Sequence, residues 1–197
     1  MLGGGKPDNL YRFGVPERED VQTAARRTNP ITLSLSRVRF APEIEGDRIL
    51  TARGDSVLYI KDARWAAPAP DLFTQTLTRQ FAGRAPGLRL GSPQERSTQG
   101  MVLRIEVDRF EARYAPDGSK DDPPVILVSG IAELVDPANR RVMEASGFSA
   151  EETAAANGKA AIVAAFDSAV VRFAADIVDW SSTAVQTPSR AASAGSQ

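Results

Sequence analysis

The chain contains no histidine and no cysteine among its 197 residues. This absence excludes thiolate nucleophiles, Ser–His and Cys–His dyads, thiolate zinc sites, histidine metal ligands and disulfide bonds. Only carboxylate, lysine, tyrosine or hydroxyl side chains remain for catalysis. A chain without cysteine is compatible with both the periplasm and the cytosol, so the composition does not identify the compartment.

A strong charge of one sign is also absent, since the formal net charge is −1. Nothing in this balance favours nucleic acid or an anionic membrane as a partner. No apolar run approaches the roughly 20 residues of a membrane helix, and residues 1–6 lack the apolar core of a signal peptide. The composition, 42% hydrophobic and 25% charged, is typical of a globular protein of one domain.

The stretch from residue 57 to residue 81 organises the rest of the chain. It begins as an apolar β-type run over residues 57–60 and is broken by Pro68 and Pro70, which oppose a helix interior. Apolar residues then recur at helical spacing and predict a helix over about residues 70–83. Trp65 lies between strand and helix, where a large ring can cover the end of a sheet.

Alternating apolar residues predict the other strands. The alternation changes phase near Ser36 and again near Asp108, which predicts a β-bulge at each point because one extra residue exchanges the faces. Gly54-Asp55 predicts a hairpin turn. Residues 125–135 are apolar in both phases and predict a central strand covered on both faces.

Residues 149–152 resemble a helix capping box. The last strong pattern is a helical stripe over residues 162–180, which Asn157 is expected to cap. We therefore predict an α/β (α+β) fold with a single mixed, largely antiparallel sheet of about six or seven strands and two main helices. One helix lies in a strand–helix–strand crossover, which implies a right-handed connection. The predicted organisation is a flexible tether over residues 1–9, one domain over residues 10–182 and a disordered tail over residues 183–197.

Three motifs suggest chemistry, and each has a structural alternative. Residues 53–55 spell an integrin-type tripeptide but are better explained as a turn. The loop of residues 115–124 carries three aspartates, which suit calcium but lack the spacing of a calcium loop. Glu106 and Asp108 are a possible acid–base pair, although a solvated sheet face explains them more simply. We accordingly expect no enzyme activity, no cofactor and no metal site.

An ordered series of short motifs runs from residue 10 to residue 180. The most specific is Arg64-Trp65-Ala66-x-Pro68, placed after a hairpin and before a helix. The others are an early aromatic strand, a longer strand, a hairpin and a late strand, at residues 10–13, 31–40, 47–59 and 107–111. In this order the motifs resemble the ABC-type transport auxiliary lipoprotein family, the outer-membrane lipoproteins that accompany MCE-type (mammalian cell entry) lipid transport systems.

The resemblance implies a non-catalytic periplasmic component that docks an inner-membrane MCE protein, with its permease and ATPase, to the outer membrane. The implied cargo is phospholipid or another hydrophobic compound. Members of the family carry a signal peptide and an acylated lipobox cysteine, and this sequence has neither. The expected location is the periplasm, with outer-membrane attachment through a lipid anchor that this chain lacks.

Two other readings remain beside this one. The chain resembles, less specifically, other periplasmic interaction modules such as cell-wall synthase activators and TolB-like amino-terminal domains, and an enzyme using carboxylates, Tyr59 or Lys61 is a third. Arg64 and Trp65 are candidate partner-binding residues if the indole is exposed, because both residue types are frequent at binding hot spots. In the structural alternative, Trp65 fills the corner between helix and sheet, and Arg64 pairs with a carboxylate. Oligomeric state is open, and a homo-oligomer is compatible with a docking role.

Overall fold

A computed structural model describes residues 8–15, 30–92, 95, 100–119 and 121–186. Within these ranges the chain forms nine strands and two helices. The strands are β1 (Asn9–Tyr11), β2 (Ile31–Leu35), β3 (Arg39–Phe40), β4 (Arg48–Arg53), β5 (Ser56–Trp65), β6 (Leu88–Gly91), β7 (Val102–Tyr114), β8 (Val125–Asp136) and β9 (Arg141–Thr153). The helices are α1 (Ala69–Arg84), between β5 and β6, and α2 (Lys159–Gln186), after β9.

Strand β7 is the centre of the single sheet. Along one edge it pairs in parallel with three separate strands, β2 at its start, β3 in the middle and β4 at its end. Along the other edge it pairs antiparallel with β8, which pairs antiparallel with β9. Beyond β4 the sheet continues through antiparallel β5 to β1, and beyond β2 it ends at β6. The longest pairings are antiparallel, which confirms the predicted fold class.

Both helices lie on one face of this sheet and enclose one hydrophobic core. Helix α2 packs on β8 and β9, and α1 packs beside α2. Alternate residues of the long strands, such as Leu103, Ile105 and Val128, point at the helices and are fully buried. Burial of each large apolar side chain stabilises the fold by about 1.5–3 kcal/mol. Neither helix of the described residues lies on the other face of the long strands.

The structure contains both predicted bulges. The β7–β8 register shifts between Val107 and Arg109, so Asp108 is an extra residue. On the opposite edge of β7, Leu35 pairs with Leu103 and Phe40 with Val107, which leaves one extra residue between β2 and β3. Gly54 has φ of 56° and turns β4 into β5 as expected.

Several details differ from the sequence-based expectations. The sheet has more strands than predicted, because short strands with weak sequence patterns pair with β7. Residues 149–152 resemble a helix capping box but lie inside β9, where pairing with β8 determines their conformation. The face of β8 away from the helices is not fully covered, since Ile131 is 52% exposed.

The predicted strand–helix–strand order is present, but the two strands that flank α1 do not pair. β6 pairs with β2, and the chain of pairings gives β5 and β6 opposite directions. β5 and β6 are therefore not the parallel neighbours to which the right-handed rule applies, although β6 does pair in parallel with β2. Helix α1 instead connects two strands on the same side of β7, since β5 lies beyond β4 and β6 lies beyond β2.

The ends of the folded region also differ slightly from the predicted bounds. Asn9, assigned to the tether, already belongs to β1. Residues 183–186, assigned to the tail, continue α2 to Gln186. The rest of the predicted tether and tail, residues 1–7 and 187–197, lies outside the described residues.

Candidate interaction surfaces

The corner between β5 and α1 buries the indole of Trp65. Pro68 stops the strand conformation and caps α1, which has a proline in its first turn. The indole is 1% exposed and lies edge-to-face on Phe13 and Phe166, at ring-centroid distances of 5.0 and 5.2 Å. Its position links the early strand, the sheet and α2.

Arg64, the neighbouring residue, points away from this core. Its guanidinium contacts Asp8 and donates from Nη1 to Asp47 Oδ1 at 3.0 Å. The hydrogen bonds to Asp8 and Asp47 raise the pKa of Arg64 above its usual value. The Arg64 side chain is 40% exposed. At the surface it connects Asp8, which precedes β1, to Asp47, which precedes β4.

The structure therefore separates the two candidate partner-binding residues. Trp65 is inside the core, so the condition on which its role as an exposed anchor depended is not met. Arg64 is accessible, but both of its carboxylate partners belong to the same chain.

A more extended candidate surface is the open face, defined here as the helix-free face of β7, β8 and β9. Its charged residues form pairs across strands. Arg104 Nη1 donates to Glu133 Oε2 at 3.0 Å, and Arg113 Nη2 donates to Glu151 Oε1 at 2.8 Å. Among these pairs Ile131 lies exposed, opposite Gly147 of β9. An apolar residue surrounded by paired charges resembles the centre and rim of a protein interface.

The sequence contained a signal for this surface. Ile131 lies in the apolar run of residues 125–135, but Ser129 and Glu133, two residues away on either side, share its face. Polar residues at that spacing indicate a solvent-facing side. The apolar content of the run hid this alternation.

A second exposed apolar feature lies on β5, the strand that pairs with β4 along one edge and with β1 along part of the other. Val57 and Leu58 are 56% and 72% exposed. Leu58 borders a shallow hollow of about 410 Å³ whose lining includes Tyr114 and Asn157. The Tyr114 hydroxyl donates to Asn157 Oδ1 at 2.7 Å, and burial raises the pKa of Tyr114.

The motifs considered for chemistry are held in structural contacts. Glu106 pairs with Arg39, and Asp108 accepts a hydrogen bond from the Ser129 hydroxyl. In the long loop, Asp122 accepts one from the Ser119 backbone N–H. Within the described ranges no cluster of three or more acidic residues is arranged to hold a metal ion.

A helix that spans a membrane must be both long and apolar. Neither α1 nor α2 combines the necessary length and apolarity in the part of the chain that the structure describes.

Comparison with known proteins relates this fold to a transport family. Residues 11–178 match the family model described as ABC-type transport auxiliary lipoprotein component. No curated protein sequence matches the chain.

Solved structures with the same fold have low sequence identity to the chain. Protein XCC0632 from Xanthomonas campestris is 21% identical with a TM-score of 0.71, over 91% of this chain and 95% of that one. The hypothetical protein CT253 from Chlamydia trachomatis is 12% identical with a TM-score of 0.50, over 80% of this chain and 98% of that one.

Proposed function

Because the chain belongs to the family of ABC-type transport auxiliary lipoprotein components, we propose that it is a non-catalytic docking component of an MCE-type lipid transport system. In this role it connects an inner-membrane MCE protein, with its permease and ATPase, to the outer membrane. The family match over residues 11–178 carries the proposal. Attachment to the outer membrane would depend on a covalently attached acyl chain, as in other lipoproteins.

The open face is the docking surface in this proposal. Arginine is enriched at protein interfaces, and Arg39, Arg104 and Arg113 on or beside this face all have carboxylate partners. Their charges are already neutralised, so docking needs no new counter-charge. Ile131 supplies the apolar centre, and Gly147 beside it leaves open space because a Cβ there would meet no atom within 4 Å.

The test is binding of the purified chain to the periplasmic domain of an MCE protein encoded beside it. We expect one-to-one or higher complexes by biolayer interferometry, and we expect Ile131→Glu to weaken binding by tenfold or more, about 1.4 kcal/mol. Gln75→Glu, which places the same side chain on the exposed side of α1, is the matched control and should bind normally.

Absence of binding to any MCE domain would overturn the docking role. Equal binding by Ile131→Glu and Gln75→Glu would show that the open face is not the docking surface, and would leave the docking role itself in place. A gene neighbourhood without MCE, permease and ATPase genes would also count against the role.

A further inference from the structure

Strand β9 forms one margin of the sheet. It pairs with β8 along its length, and no other described strand lies beside it. β1, into which the first residues of the chain lead, lies at the opposite margin, beside β5. Among the described residues, the outer side of β9 therefore offers backbone N–H and C=O groups to another strand.

A hydrogen bond at the end of β9 identifies which residues face outward. The N–H of Ala154 donates to the Pro124 carbonyl at 2.9 Å, on the side of β8. The direction of the backbone groups alternates along an antiparallel strand. The N–H and C=O groups of Ala145, Gly147 and Ser149 therefore point away from β8.

An arginine of α2 covers the next outward carbonyl. Arg172 Nη1 donates to the Glu151 carbonyl oxygen at 3.0 Å, which agrees with the alternation. The segment before it, residues 145–149, is Ala-Ser-Gly-Phe-Ser and contains none of the prolines or charges that usually protect a sheet edge. We call the outer side of residues 145–149 the β9 edge.

A rim of two aromatic rings and two carboxylates borders the β9 edge on its helix side. Phe148 packs on Trp180 of α2, with ring centroids 5.7 Å apart. Trp180 is only partly buried, although Phe173, two turns before it on the same side of α2, is fully buried. Asp176 lies one turn before Trp180 and is exposed. Glu144 shares the face of Phe148 and is also exposed.

The two carboxylates of this rim have no ion-pair partner within the described residues. Arg84, on which Asp176 acts through space, pairs with Asp179 instead. β9 itself carries three glutamates and one arginine, so a second copy of the strand would add negative charge. A partner that suits the rim is therefore positively charged.

We propose that the β9 edge binds an extended segment of a partner protein in which apolar residues alternate with lysine or arginine. The segment adds to the sheet beside β9, where its backbone pairs with Ala145, Gly147 and Ser149. In this binding mode the main-chain hydrogen bonds supply affinity, and the neighbouring side chains supply specificity.

The two faces of the sheet explain the alternation, because successive side chains of a strand point to opposite faces. On the helix side, a cation is attracted to the face of the Trp180 ring and to the carboxylates of Asp176 and Glu144. On the other side, an apolar residue can reach over Gly147 toward the exposed Ile131, which lies opposite it on β8. A Cβ at Gly147 would meet no atom within 4 Å, so the space is open.

Hydrogen exchange of the full chain, followed residue by residue by NMR, tests whether the β9 edge is open. We expect the amides of Ala145, Gly147 and Ser149 to exchange quickly, whereas those of Ser146 and Phe148, which face β8, exchange slowly. The peptide Lys-Val-Lys-Val-Lys-Val-Lys should slow the first three by about tenfold or more at saturation.

Two altered peptides test the recognition, with binding measured by calorimetry. Replacing each lysine with glutamate should weaken binding by about tenfold or more, because the rim then repels the peptide. Methylating every backbone nitrogen of the lysine peptide removes its hydrogen-bond donors and should weaken binding as strongly.

Variants of the chain locate the site. Glu144→Lys should weaken binding of the lysine peptide by about fivefold or more. Glu45→Lys makes the same change on an exposed residue between β3 and β4, and as the matched control it should bind normally. Glu144→Lys combined with Asp176→Lys should prefer the glutamate peptide.

Three results overturn the proposal. The first is slow exchange of Ala145, Gly147 and Ser149 in the chain alone, which would mean that another segment or a second copy covers the β9 edge. The others are equal affinity, or no affinity, for the lysine and glutamate peptides, and equal binding by Glu144→Lys and Glu45→Lys. Glu144 lies on the helix side, away from the open face, so MCE binding can fail while peptide binding persists, and the reverse also holds.

Discussion

The indole of Trp65 lies 5.2 Å from the ring of Phe166, with the two planes 81° apart. Trp65 ends β5, and Phe166 belongs to the first half of α2. Edge-to-face pairs of this kind stabilise by about 0.5–1.5 kcal/mol beyond burial. The contact therefore joins the corner between β5 and α1 to α2.

We expect Trp65→Ala to lower the free energy of unfolding by about 3–5 kcal/mol, because it leaves a large cavity in the core. Chemical denaturation followed by circular dichroism measures this. Trp65→Phe should cost less than about 2 kcal/mol, since it keeps a ring and removes an indole N–H that has no hydrogen-bond partner among the described residues. Unchanged stability of the alanine variant would show that the ring is not part of the core.

Gly130 provides a prediction about the β7–β8 pairing. It lies opposite Val107, beside the bulge at Asp108. A Cβ at Gly130 would lie 2.9 Å from Val107 Cα and closer still to the Glu106 carbonyl oxygen. We expect Gly130→Ala to destabilise the fold by about 1–3 kcal/mol, because backbone atoms must move.

Gly147→Ala is the matched control for this substitution. Gly147 lies on the next strand, where a Cβ would meet nothing within 4 Å, so its effect should stay within about 0.5 kcal/mol. Equal melting temperatures for the two variants would contradict the close approach of β7 to Gly130.

Glu95 provides a prediction about pH. Hydrogen bonds from Arg89 lower the pKa of Glu95 below its ordinary 4.5. A carboxylate whose pKa is lowered by folding contributes stability above its unfolded pKa and loses that contribution as the pH falls through the folded value. The contribution is therefore complete at neutral pH and disappears on acidification below 4.5.

NMR titration of the Glu95 side chain checks this directly. We expect Arg89→Gln to move the midpoint upward, toward the ordinary value. High salt should reduce the difference, because the pair is exposed to solvent. Identical midpoints in the unmodified chain and in Arg89→Gln would show that Arg89 does not cause the lowered pKa of Glu95.

Local patterns predicted much of the fold because they record which side of a strand or helix is buried. The phase changes near Ser36 and Asp108 identified both irregularities beside β7. Pairing partners were harder to predict, because nothing in β2, β3 or β4 alone indicates that all three share one edge of β7. The capping-box pattern at residues 149–152 failed because long-range pairing overrides local propensity.

The candidate site was predictable only in part. The Arg64-Trp65 motif located a real corner of the fold, but sequence does not reveal whether a ring at a corner points inward. Such features become visible only in three dimensions.

The shared edge of β7 also has a kinetic consequence. That edge is complete only when β2, β3 and β4 have all paired with β7. The opposite edge of β7 pairs with β8, and the helix that covers β8, α2, is the last of the described elements. Contacts between segments so distant in sequence slow folding into the millisecond-to-second range. A partly synthesised chain therefore exposes the apolar face of its strands until α2 covers it, and such exposed strands are prone to aggregation.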